Sequence, residues 1–200
     1  MRWTISLLCP LLLFTPACKP RQASQSATDH ESLHRLIDVC ALLSKQEIEA
    51  VQSSPITDTK SSGESQEMFR LSQCYYSAAE PSKSVSLALT QANPDYKGKR
   101  TPKDYWAETF GPYDDEKQAD RPSATGADAK PDKEKEEKAA PPRKIDGVGE
   151  DAFWVGNRIG GALYVLKDNA ILRISVGGPD NQETKINKSK ALALKALPRL

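Results

Sequence analysis

Two hundred residues, 38% hydrophobic and 28% charged, can build one modest domain, but uneven Pro, Ser and Lys/Glu runs leave a smaller core than the length suggests. The formal net charge of +1 gives no field to gather nucleic acid or acidic lipid, and no basic stripe is interleaved with aromatics. Nucleic-acid binding is therefore not expected. At the start, Met1-Arg2 is a short positive segment, residues 3–14 form an apolar run, and Thr15-Pro16-Ala17 supplies small residues before Cys18. Residues 1–17 read as an export signal. The apolar run falls short of the roughly 20 residues that a bilayer-spanning helix needs.

Cleavage before Cys18 resembles a bacterial lipoprotein signal, in which the new N-terminal cysteine receives lipid. Thr15 stands where that signal usually carries Leu, Val or Ile, and secretion with a free Cys18 is the alternative. By the same resemblance, Lys19 rather than Asp after Cys18 implies sorting to the outer membrane, on its periplasmic face, in an organism with two membranes. Residues 18–32 have little apolar content and read as a flexible tether. Four cysteines are then accounted for: Cys9 leaves with the leader, Cys18 carries lipid, and Cys40 and Cys74 remain to form a disulfide in an oxidising compartment.

His30-Glu31-Ser32-Leu33-His34 formally matches H-E-x-x-H, which places two imidazoles on one helix face for zinc with the glutamate as base. Charged Asp29 and Arg35 flank it, and the chain has no third histidine. A solvated helix with Leu33, Leu36 and Ile37 turned inward is the preferred reading. A zinc-dependent hydrolase using His30 and His34 is the weaker alternative, and no cofactor is expected.

Residues 33–92 form the first half of the expected domain. Ser44 and Glu47 make a capping box, with Leu43 and Ile48 as the hydrophobic staple, so a helix should run from Lys45 to about Val51 or Gln52. Residues 57–65 look like a polar loop. Residues 68–77 and 84–90 read as strands, the second with Val85, Leu87 and Leu89 inward and Ser84, Ser86, Ala88 and Thr90 outward. Residues 93–144 interrupt the pattern. Within them Thr101-Pro102-Lys103-Asp104 starts a short helix over 102–110, whose Tyr105, Trp106 and Phe110 suit core cover better than a partner contact. Residues 114–144 are charged and nearly devoid of large apolar side chains, the composition of a disordered linker.

Residues 145–200 complete the domain. Asp146, Glu150 and Asp151 fit no calcium-loop spacing, and the glycines among them indicate a turn into a strand at 152–155. Strands at 162–167 and 170–176 flank Asp168-Asn169, which suits a two-residue hairpin turn. That turn sets Val165 opposite Leu172 and Leu163 opposite Ile174 on one face, with Leu166 opposite Ile171 and Tyr164 opposite Arg173 on the other. The first face is apolar and calls for cover from the amphipathic stretch 186–197, where Leu194 and Leu197 join Ile186, Lys190 and Ala193 on one stripe.

The segments Cys40-Ala41-Leu42-Leu43, Cys74-Tyr75-Tyr76 and Gly147-Val148-Gly149-Glu150-Asp151-Ala152-Phe153-Trp154, with the closing Ala/Leu helix, resemble a family of small bacterial envelope lipoproteins of unknown function. The resemblance implies envelope location, a disulfide and an α+β domain, and brings no catalytic residues. The expected architecture is an antiparallel sheet of about five strands covered by N-terminal and C-terminal helices, with a long insertion. The expected role is non-enzymatic: a lipid-anchored domain that binds an envelope protein, a glycan or a small ligand, or serves structurally.

Overall fold

The first helix begins where its cap requires. In the computed structural model, which describes residues 37–114, 141–156 and 160–200, α1 spans Lys45–Gln52. The Glu47 backbone N–H donates to Ser44 Oγ at 3.2 Å, and the Ser44 N–H donates to Glu47 Oε2 at 2.9 Å. Glu47 has a second partner far away in sequence. Arg199 donates from Nη1 to Glu47 Oε2 and from Nη2 to Oε1, each at 2.7 Å, and also from Nη1 to the Leu42 carbonyl. The Arg199 guanidinium and the Ser44 N–H hold the Glu47 carboxyl down at about 2, from an ordinary 4.5.

This clamp stabilises the fold above pH 4.5 and is lost as pH falls toward 2, because the folded-state pKa lies below the unfolded one. Glu47→Gln keeps the cap bonds and removes the charge. With the Arg199 side chain 43% exposed, the variant should lose up to about 1 kcal/mol at neutral pH. Melting curves should show the gap between the two proteins narrowing from pH 5 to pH 2. A gap independent of pH would contradict the clamp.

Among the described residues the sheet is antiparallel and has seven strands: β1 (Ile56–Ser65), β2 (Phe69–Ala78), β3 (Val85–Ala92), β4 (Arg143–Lys144), β5 (Asp151–Gly156), β6 (Gly161–Lys167) and β7 (Ala170–Val176). Their order is β1-β2-β3-β7-β6-β5-β4. The sequence suggests about five; β1 and β4 are the additions. β1 covers the stretch that reads as a polar loop. Among the described residues it pairs with β2 alone, and every residue after Ile56 except the half-buried Thr59 is exposed, so no apolar alternation marks it. Its charged and hydroxyl side chains suit an edge that must not recruit another chain. β4 returns the chain to the sheet, Arg143 opposite Trp154 and Lys144 opposite Phe153, so these two end residues of the charged stretch are strand.

The β6–β7 hairpin has the register that its turn dictates, Leu163 opposite Ile174, Val165 opposite Leu172, Tyr164 opposite Arg173 and Lys167 opposite Ala170. Asp168 and Asn169 take φ of 47° and 60°, as a two-residue turn matched to strand twist requires. Before β5, Gly149 sits at φ 65°, where a Cβ would come within 2.6 Å of the Leu166 carbonyl oxygen. That glycine lets the chain pass against β6.

One apolar row crosses five strands in register: Cys74, Leu87, Ile174, Leu163 and Trp154, all buried. α3 (Gln182–Ala196) lies against β6 and β7 on this face, with α1 packed beside it. Asn181 caps α3 through the Thr184 N–H, and Ile186, Ser189, Leu192, Ala193 and Ala196 form its buried stripe. Leu194, expected on that stripe, instead points to solvent at 50% exposure. At about 100° per residue, position 194 falls more than about 100° from the centre of the stripe those buried residues define, so it faces away from the sheet. A 3₁₀ turn at Val39–Leu42 closes the layer over β1, β2 and β3.

A candidate binding cleft on the second face

Residues Gln73, Ala88, Arg173, Tyr164 and Phe153 make the matching row on the opposite face. Its cover comes from within the insertion. α2 (Pro102–Phe110) starts at Thr101, whose hydroxyl accepts from the Asp104 N–H while Asp104 accepts from the Thr101 N–H, and Pro102 occupies the first turn. Its buried residues Trp106 and Phe110 meet Phe153, Leu166 and Ile171 in a second, smaller core. Phe110 stacks on Phe153, centroids 5.1 Å apart and planes 7° apart, and Trp106 approaches the same ring at 6.0 Å.

Polar bonds pin the helix along its length. The Lys103 N–H donates to Asn169 Oδ1, Lys103 Nζ reaches Glu150 Oε2 at 2.9 Å, and Trp106 Nε1 donates to Asp151 Oδ2 at 3.0 Å. Lys103, with help from the Asp168 N–H, holds the Glu150 carboxyl below its usual value. Beyond the short turn Gly111–Tyr113, Asp114 meets Lys144 at 2.6 Å. The acidic group Asp146, Glu150 and Asp151 is thus divided: Glu150 and Asp151 moor α2, while the Asp146 carbonyl accepts from Lys190.

α2 covers only part of the second face. Beside it opens a cleft of 370 Å³ whose floor includes Ala88, Tyr164, Ile171 and Arg173 and whose wall includes Tyr105 and Phe110. The volume lies in the range of small-molecule sites, about 300–1,000 Å³. Its lining offers rings, methyl groups, hydroxyls and one guanidinium, and among the described residues no carboxylate, imidazole or thiol. Arg173 is held in place by Tyr164: Nε donates to the phenol oxygen at 3.1 Å, and Cζ lies 5.7 Å from the ring centroid.

No protein-family model, curated protein or solved structure matches this chain. Cys40 and Cys74 are bonded, Cα atoms 5.2 Å apart, as the cysteine arithmetic requires. Cys18, His30 and His34 lie outside the described residues. Among the described residues no group of three or more His, Cys, Asp or Glu is arranged to hold a metal, and no helix is long and apolar enough to cross a membrane. The cleft itself was not visible in the sequence. Its one signal was the Tyr164–Arg173 pair, which the hairpin register placed on the sheet face away from α3.

Proposed function

We propose that the protein is an exported, non-enzymatic binding domain, lipid-anchored at Cys18 to the periplasmic face of the outer membrane and carried on the tether of residues 18–32. The cleft beside α2 is where it takes a small, largely apolar ligand. The observation that carries this reading is the cleft: a pocket of small-molecule size on a rigid sheet face, walled by aromatic rings. Its lining suits holding a ligand rather than converting it, since the described residues there supply no acid–base pair. The leader and Cys18 support the location through their resemblance to a lipoprotein signal.

The purified full chain should bind the neutral fluorophore N-phenyl-1-naphthylamine saturably and one to one. Thr109→Trp, which fills the cleft from α2, should weaken that binding at least tenfold with the melting temperature kept. Binding that survives the tryptophan would place the ligand elsewhere. In cell fractions, Cys18→Ser should move the protein from membrane to soluble extract; an unchanged distribution would remove the anchor.

A further inference from the structure

We propose that the cleft selects organic carboxylates, with Arg173 as the anion-binding residue and the aromatic wall holding the apolar body; this rests on the cleft being the binding site. Arg173 is half-buried, yet it has no ion-pair partner among the described residues. Arg100, Arg143 and Arg199 pair with Glu108, Glu183 and Glu47, while Arg70, also without an ion pair among the described residues, donates to Ser65 Oγ and does not line the cleft. Arg173 differs because its sheet neighbours are neutral: Ala88 and Tyr164 across the strands, Ile171 and Ser175 along its own. A guanidinium drawn partly out of water gains from a counter-ion, and the described residues supply none.

The geometry also selects the kind of anion. Tyr164 takes the Nε–H, so the two Nη groups remain as an end-on fork, which matches the two oxygens of a carboxylate. The same tyrosine ring limits the rotation of the guanidinium. The same cleft is lined by Leu71, Phe110, Val155 and Ile171, apolar surface that suits a carboxylate carried on an apolar body.

Three probes share one apolar body and differ in charge: 1-naphthylacetate, 1-naphthaleneethanol and 1-naphthylmethylamine. Calorimetric titration of the full chain should give an affinity for the carboxylate at least tenfold above that for the alcohol, and weaker still for the amine. Arg173→Gln should bring the carboxylate-to-alcohol ratio to about one, and Arg173→Lys, a charge without a fork, should leave it between. Equal affinities for carboxylate and alcohol in the wild type, or a preference for the amine, would overturn carboxylate selection while leaving the cleft as the binding site. No saturable binding of any of the three would overturn both. Should Arg173→Gln unfold, Arg173→Lys against wild type decides: a ratio unchanged by lysine overturns the role of the fork.

Discussion

Phe153→Ala should cost about 3–5 kcal/mol, a large share of a domain's usual stability of about 5–15 kcal/mol. Phe153 has no exposed surface and is the ring on which α2 rests, touched by Phe110 and Trp106, with Lys144 Nζ 6.0 Å from its centroid. Truncation leaves a void beneath two aromatic side chains whose helix is otherwise tied down by polar bonds, most of them exposed. Urea unfolding should report the loss, and hydrogen exchange should speed up over 102–110 more than over the β6–β7 hairpin. Phe153→Leu should cost less than half as much. A cost below 1 kcal/mol for alanine would mean that α2 is not anchored through this ring.

Replacing both Cys40 and Cys74 by alanine should lower stability by about 2–4 kcal/mol, in line with the closure entropy of a loop whose ends are 34 residues apart. The bond ties the 3₁₀ turn at Val39–Leu42 to β2, where Cys74 is wholly buried. Tyr76 marks the same junction: its hydroxyl, 3.0 Å from the Cys40 carbonyl and 3.1 Å from that of Leu43, is positioned to donate to them, and burial pushes its pKa up to about 12. The turn therefore stays docked in the variant, and the lost stability should appear as easier global unfolding. Reduction of the wild type should match the double variant in melting temperature. A reduced protein as stable as the oxidised one would show that the bond constrains nothing.

What the sequence made legible was local. Ser44 with Glu47 and Thr101 with Asp104 mark helix starts through bonds within four residues, and Asp168-Asn169 sets a register through two dihedral angles. β1 was hidden because only its first residue, Ile56, is buried and only Thr59 of the rest is half-buried, so burial left no period to read, and among the described residues it is pairing with β2 that makes it a strand. Ala88 was assigned to water for a related reason: the alternation in β3 does not reveal that a helix from the insertion covers the second face, where Ala88 is 5% exposed. The cleft depends on the same long-range event. Arg173 opposite Tyr164 was foreseeable, but that the described residues around it include no carboxylate follows from which strand lies beside β7.

The strand order has one more implication. The N-terminal half contributes β1, β2 and β3, the C-terminal half β7, β6, β5 and β4, and the two blocks meet along the β3–β7 seam. Severed from each other, each block would present its innermost strand, Val85–Ala92 or Ala170–Val176, as a bare row of amides flanked by aliphatic side chains. Neither half is thus a self-sufficient unit, however cleanly the composition divides them; each is the other's missing neighbour.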